Sequence, residues 1–386
     1  MMRADVLIVG GGIAGASAAY FLAPHLSVVL VERETGFGYH STGRSAAEWT
    51  VVRSLGLKRP IVLFGKPFFD APPPGFASMP LCRPRGNILF APPGSEAAAE
   101  DFIRDAGPLN PALCEISVER ALEIVPFLRP DVIGRAFYDP DNGEIDVDAL
   151  HQGFLRGIRA AGGVTRSGVE FLGADRCGER WHTRIGGDAL DVSIIINAAG
   201  AWGDVVAARA GVRPLGLVPR RRTALTFDPG FDVKELPPVD DLSTGFYFKP
   251  SGATLMVSPG DVTPSAPCDA QPDEFDVATA VDMFERATTL EIRKLSSRWA
   301  GLRTFTTDEY PIAGFAADVS GFFWLVGQGG GGIMSSPGLG EFTATLVRGA
   351  PWPARALELG LDASQLSPTR LVTASDPPSE APLHYR

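Results

Sequence analysis

Six residues near the N-terminus, Gly10-Gly11-Gly12-Ile13-Ala14-Gly15, constrain this chain more than any other stretch. The run ADVLIV (4–9) before them reads as a buried strand. Residues 16–22 after them suit a helix, and a second β run at 28–31 ends at Glu32. Strand, glycine turn, helix, strand and terminal acid are the parts of a dinucleotide-binding βαβ unit. Gly10 permits the tight turn, Gly12 lets a pyrophosphate approach the backbone, and Gly15 lets the helix pack close to the strand. The helix N-terminus then turns unpaired N–H groups towards the phosphates. Glu32 is placed to accept from a ribose hydroxyl, which favours FAD or NAD over NADP.

The remaining chain narrows the class. At 386 residues there is length for a second domain interleaved with the first. The formal charge is −10 with no long run of either sign, which argues against nucleic acid or an anionic membrane as main partner. No apolar run reaches spanning length, so no transmembrane segment is expected. Cys82, Cys114, Cys177 and Cys268 lie far apart without a CxxC pair, which points to free thiols in a cytoplasmic protein. The five histidines show no metal-ligand spacing and no GxSxG elbow occurs, so neither a metal nor a serine nucleophile is expected.

Four further stretches carry chemistry. GYHSTGRSAAEWTVVRS (38–54) begins small and hydroxylic, suited to lying against a flat cofactor, and then brings in Glu48 and Arg53. SIIINAAGAW (193–202) reads as a buried strand ending in a small-residue turn that lets backbone pass close under a ligand. GFFWLVGQGGGGIMSSPGLG (321–340) reads as a strand, four glycines and a helix, with Ser336 as N-cap and Pro337 at the first helical position. WAGLRTFTTDEYPIAG (299–314) holds Arg303, whose forked guanidinium suits a carboxylate.

Together these stretches, with VLIVGGGIAGASAA, NAAGAWGD and GQGGGGI, resemble the D-amino-acid oxidase family of FAD-dependent oxidoreductases over residues 4 to about 345. The linking segments DALHQGFLRGIR and AGVRPLGLVPRRR are similar to the D-arginine dehydrogenase branch of that family. The resemblance implies FAD as cofactor, held without a covalent link because no cysteine falls in the matched motifs. It implies that Gly10, Gly12, Ile13, Ala14 and Gly15 hold the pyrophosphate, and Glu32 with Arg33 the adenosine. Ser41, Thr42, Arg44, Ser45, Ala46 and Ala47 would line the flavin and its ribityl chain. Val169 would meet adenine through its backbone, and Gly200 and Trp202 match a second cofactor-side segment. Gly329, Gly330, Gly331, Gly332 and Ile333, with Arg303, would lie along the flavin.

On the substrate side the resemblance implies that Arg303, Tyr247 and Arg222 hold a carboxylate, close to Gly330. The alternatives read from the residues alone are an Arg303 paired with Asp308, and a Tyr247 packed in a sheet between Phe246 and Phe248. The chain departs from the D-arginine dehydrogenase pattern at three positions. Glu48 stands in place of a histidine, Arg53 in place of a tyrosine, and Asn87 in place of the acid that would meet a guanidinium. A cationic side chain is then poorly received, because a buried charge without a partner costs several kcal/mol. Arg53 either meets an acidic or polar substrate group, pairs with Glu48, or points to solvent. Glu48 is a candidate base if desolvation raises its pKa.

The expected fold is α/β, a Rossmann-like FAD-binding domain interleaved with a substrate domain on an antiparallel or mixed sheet. Residues 1–82, 137–211 and 300–365 are assigned to the first, and 83–136 and 212–299 to the second. The proline-rich connectors 70–76 and 228–241 read as surface loops, and 366–386 as a disordered tail. The expected activity is oxidation of an amino acid, of D configuration and other than D-arginine, by hydride transfer from Cα to flavin N5. The imino acid then hydrolyses to a 2-keto acid and ammonia, with quinone or oxygen as electron acceptor. The alternatives are an N-substituted amino acid, an opine or a 2-hydroxy acid in the same site, or a flavin-binding protein that has lost catalysis.

Overall fold

The computed structural model describes residues 2–373. Its first sheet has eight strands, and five of them run parallel. In spatial order these are Val164–Arg166, Val28–Val31, Met2–Val9, Asp188–Asn197 and Phe322–Val326. The continuous apolar run of Met2–Val9 follows from burial on both faces. Val6 and Ile8 enter one core, and Leu7 and Val9 the opposite one. The helices Ile13–Leu22, Val147–Ala160 and Gly332–Val347 contribute Leu22, Phe154 and Phe342 to the first of these cores.

The second sheet also has eight strands, ordered Ser297–Phe305, Val218–Phe227, Thr254–Ser258, Tyr247–Ser251, Val239–Asp241, Asn87–Ala91, Arg135–Asp139 and Cys114–Ile116. Its pairs are antiparallel except Val239–Asp241 with Asn87–Ala91. One face is apolar. Phe227, Phe246, Phe248, Leu255 and Val257 pack with helix Glu274–Ala287, whose Phe284 ring lies 5.0 Å from Phe227 and 5.3 Å from Phe248. The alternate residues Ala224, Tyr247 and Met256 form a separate cluster with Ala46 and Trp299. Period-two alternation thus leaves a second face of this sheet to meet the segment at residues 41–49. A small sheet of Glu48–Trp49, Gly143–Ile145 and Cys82–Pro84 ties that segment to the rest.

Four local expectations change. Strands Arg135–Asp139 and Ser297–Phe305 belong wholly to the second sheet, so the chain crosses between sheets after residues 139 and 305 and not at 137 and 300. The stretch 228–241 does not stay at the surface. Val239–Asp241 is a buried strand, because pairing on both edges satisfies its backbone. The last long helix starts at Gly332, leaving Pro337 inside it. Proline lacks the N–H that would reach the Ile333 carbonyl, and the Ser336 hydroxyl donates to that oxygen instead at 2.8 Å. Ordered structure also continues past 366. Leu366 is fully buried and Arg370 donates to Asp308 at 2.6 Å, while 374–386 lie outside the described residues.

Candidate active site

The Met2–Val9 strand delivers its glycine turn to one end of a continuous cavity. Lining residues include Gly10, Gly12, Ile13 and Ala14 from the turn, Glu32 and Arg33 from the next strand end, and Val169. Gly10 has φ +108°, and a Cβ there would meet the Ala198 carbonyl oxygen at 2.5 Å. At Gly15 a Cβ would fall 1.9 Å from the Gly10 oxygen, so only glycine lets the helix enter this close. Glu32 is held open for a ligand. Its two oxygens accept from the Gly11 and Glu34 amides at 2.8 and 2.9 Å, which leaves lone pairs for hydroxyl donors. Gly12 faces the cavity, and a Cβ there would crowd the Thr42 hydroxyl at 3.2 Å.

The hydroxylic segment closes this end. The Thr42 hydroxyl accepts from the Ile13 amide at 3.0 Å, capping the helix from a distant loop. Ser41 donates to the Leu302 carbonyl at 2.6 Å, anchoring the segment to the Ser297–Phe305 strand. Arg44 donates to the Ala270 and Ala300 carbonyls and pairs with Asp269. It lines the cavity while fastening residues 269–270 to the 41–46 segment. Ser45 and Ala46 complete the wall with Gly200 and Trp202, and Arg33 lies 4.4 Å over the Trp202 ring. Gly15, Ala47 and Gly331 are not part of the wall. His151, which lies in the DALHQGFLRGIR segment but was given no role there, supports the turn from below. Its Nε2 donates to the Gly11 carbonyl at 3.0 Å, and burial holds the imidazole below its ordinary pKa. The glycine cradle, the doubly anchored acid and the helix N-terminus fit the diphosphate and ribose of FAD.

At the other end, Arg303, Tyr247 and Arg222 meet against Gly329, Gly330, Gly332 and Ile333. Sheet register brings them together. Arg303 pairs across the strands with Arg220, so Arg222 is its diagonal neighbour on the same face. Arg220 turns away to Glu309 at 3.1 Å, and Arg221, on the opposite face, pairs with Asp276 at 2.8 Å. Tyr247 lines the cavity while Phe246 and Phe248 enter the apolar core. Asp308 pairs with Arg370 and not with Arg303. Among the described residues no acceptor hydrogen-bonds Arg303, and a Cβ on Gly330 would sit 3.3 Å from its Nη1. Arg222 donates from Nε to the Asp261 carbonyl at 2.8 Å. Burial and then the Arg303 cation pull the Arg222 guanidinium down to about 9. Two guanidiniums and a phenol with no carboxylate in the adjoining wall make a site for an anion.

Glu48, Arg53 and Asn87 lie beyond this wall in a buried polar network that the sequence reading did not assemble. Arg53 does not pair with Glu48. Its Nη2 lies 2.6 Å from Asp240, whose other oxygen accepts from the Asn87 amide at 2.7 Å. Glu48 instead meets Lys249 at 3.4 Å and Asn142 at 3.1 Å. These partners take up both of its oxygens, and it does not line the anion site. Arg53 is not among the residues that line the cavity. Burial and the Asp240 and Glu48 carboxylates act on its guanidinium, although 36% of its side chain is accessible. Tyr247 acts electrostatically on both Arg53 and Arg222. Lys249 was legible, being two residues beyond Tyr247 on the same strand face. Asp240 was not, because its place depends on the pairing of Val239–Asp241 with two distant strands.

Comparison with known proteins gives a consistent result. The family profile described as DAO, FAD dependent oxidoreductase, matches residues 5–346. A glycine oxidase of Geobacillus kaustophilus is 25% identical, over 89% of this chain and 93% of its own length. FAD-dependent oxidoreductase domain-containing protein 1 of Bos taurus is also 25% identical, over 89% and 81%. Among solved structures, glycine oxidase from Geobacillus kaustophilus superposes with a TM-score of 0.82 at 22% identity, covering 96% of this chain and 99% of that one. L-proline dehydrogenase from P. horikoshii gives 0.81 at 19%, covering 96% and 98%. The last two establish a shared fold.

Proposed function

This chain belongs to the DAO family of FAD-dependent oxidoreductases, and we propose that it oxidises an amino acid of D configuration, other than D-arginine, to an imino acid. The observation that carries this is Arg303, a cation in the cavity wall beside Gly330 with no hydrogen-bond acceptor among the described residues. A carboxylate supplies the two acceptors that a guanidinium fork requires. The glycine oxidase among the relatives supports an amino acid as the class of substrate.

When bound, FAD supplies the acceptor for the hydride that leaves the substrate Cα. The glycine turn, Glu32 and Thr42 hold the dinucleotide end, and Ser41, Arg44, Ser45 and Ala46 with Gly329, Gly330, Gly332 and Ile333 flank the ring end. Arg303 and Tyr247 fix the substrate carboxylate, with Arg222 beside them, and so fix the face on which Cα–H is presented. No carboxylate lines this end of the cavity, and Glu48 is occupied by Lys249 and Asn142. The residues present therefore select a substrate whose amine arrives neutral. Against D-arginine stands the occupation of Asp240, the nearby buried acid, by Arg53 and Asn87. All four cysteines are free thiols, in keeping with the cytoplasmic setting we assign.

The test is anaerobic mixing of the yellow holoenzyme with D- and L-amino acids, N-alkylamino acids and 2-hydroxy acids, followed through flavin absorbance. Bleaching by a D-amino acid, with the L enantiomer slower, is expected. Bleaching by N-alkylamino or hydroxy acids alone would replace the proposed substrate, and bleaching by none would remove catalysis.

A further inference from the structure

The strand Val218–Phe227, which carries Arg222, is paired along one edge by Ser297–Phe305, but its other edge has no continuous ladder. There Thr254–Ser258 pairs with it only as far as Leu225, opposite Val257. Pairing resumes at a bridge between Arg220 and Pro264. The Arg221 amide donates to the Thr263 carbonyl at 2.8 Å, and the Ser265 amide to the Pro219 carbonyl at 2.9 Å. Between these points residues 258–263 oppose residues 221–224, so the longer side bulges. Gly260 makes the bend possible, with φ +84° and a virtual Cβ only 2.6 Å from the Gly245 carbonyl oxygen. The bulge leaves the fully buried Thr223 without a ladder carbonyl on that edge. Asp261 supplies the acceptors instead, Oδ1 to the Thr223 amide at 2.7 Å and Oδ2 to its hydroxyl at 3.1 Å. With the carboxylate tied there, the Asp261 carbonyl accepts from Arg222 Nε at 2.8 Å.

We propose that Asp261 is the positioning residue for Arg222. Its carboxylate stands in for a missing ladder carbonyl, and this holds the bulge that brings its own carbonyl to Arg222 Nε. The proposal rests on the reading of Arg222 as part of the carboxylate site and deepens it. Arg222 lines the cavity and Asp261 does not, so Asp261 acts only through Arg222. A guanidinium is planar, and a bond at Nε sets the direction of that plane beside Arg303 and Tyr247. An arginine already fixed in this way loses less rotamer freedom when an anion binds. The Asp261 carboxylate, whose side chain is 6% exposed, also serves the Arg222 cation as a counter-charge.

The test is a double-mutant cycle on the holoenzyme, with butyrate titrated as a carboxylate that has no amine to oxidise and read by the shift of the flavin absorption band. Asp261→Ala is expected to weaken butyrate by about 10- to 100-fold, as for a binding group displaced by a change behind it. Asp261→Asn keeps an oxygen for the Thr223 amide and is expected to recover most of that loss. Asp261→Glu keeps the charge but is too long for the bulge, and is expected to recover little. In the Arg222→Met background Asp261→Ala is expected to cost nothing further, because the group it positions is gone.

A loss of equal size in both backgrounds overturns the proposal, because a residue that only supports the sheet acts whether or not Arg222 is present. Rescue by Asp261→Glu in preference to Asp261→Asn overturns it as well, by assigning the effect to charge alone. Where Asp261→Ala does not yield folded protein, Asp261→Glu carries the same cycle, with Asp261→Asn as its reference. Butyrate binding that weakens with Arg222→Met but with no change at Asp261 overturns the positioning role and leaves the carboxylate site standing. Butyrate binding unaltered by Arg222→Met refutes the placement of Arg222 in that site, and the role of Asp261 falls with it.

Discussion

Replacing Arg303 with methionine separates a substrate-binding arginine from one that stabilises the fold. Methionine preserves much of the aliphatic stem and removes the charge. A structural arginine has a carboxylate or carbonyl partner, and truncation would strand that partner at a cost of several kcal/mol. Arg303 has no hydrogen-bonded partner among the described residues and raises the electrostatic cost of Arg222 as a like charge. Folding stability should therefore be unchanged or slightly higher. Catalysis should behave oppositely. Removing one partner of a desolvated charge pair costs about 2–5 kcal/mol, and Arg222 at the diagonal position takes over part of that contact. A loss near the lower end, about 30- to 300-fold in kcat/KM, is expected at about 1.4 kcal/mol per decade. Flavin reduction under anaerobic conditions measures it, with flavin content and thermal melting recorded on the same samples. Arg303→Lys should recover a fraction, because it restores the charge but not the fork. An unchanged kcat/KM, or a loss of stability above about 2 kcal/mol, would refute the anion-site reasoning.

Two further outcomes follow from the cofactor end. Gly15→Ala places a methyl 1.9 Å from the Gly10 oxygen, so the Ile13–Leu22 helix must shift. The protein should lose about 1–3 kcal/mol by overpacking and purify with less flavin, and a normal flavin-to-protein ratio would contradict this. His151 is held below its ordinary value of 6.5 by burial, so the unfolded chain takes up a proton first. Its share of stability is present above about pH 6.5 and declines as the pH falls towards the depressed folded value. His151→Gln keeps an N–H for the Gly11 carbonyl but cannot titrate, and should flatten melting temperature against pH over this window. An unaltered slope would assign the acid sensitivity to other groups.

The cofactor end was largely legible because local sequence determines it. Gly10, Gly12, Gly15 and Glu32 act within one βαβ unit, and their spacing is the geometry itself. Arg303 was legible for a similar reason, lying on one strand inside a specific motif. Thr42 was recognised as a cofactor-side residue, but its cap on Ile13 joins segments 29 positions apart and left no periodic trace. The helix start at Gly332 was misread for a physical reason. A proline after a serine is a strong start signal, but here the serine hydroxyl takes the acceptor that the proline leaves open inside the helix.

The residues hardest to foresee are those bearing on specificity, and the sheet explains why. Tyr247 and Lys249 alternate with Phe246 and Phe248, so a strand that looks uniformly buried in fact has two unlike faces. Which face meets the cavity depends on the packing of helix Glu274–Ala287 against the other one. Asp240 enters only because Val239–Asp241 inserts between Asn87–Ala91 and Tyr247–Ser251. That insertion places a carboxylate beside Asn87, the position where the sequence comparison found an acid missing. The acid has not been restored for a cationic substrate, because Arg53 already occupies it.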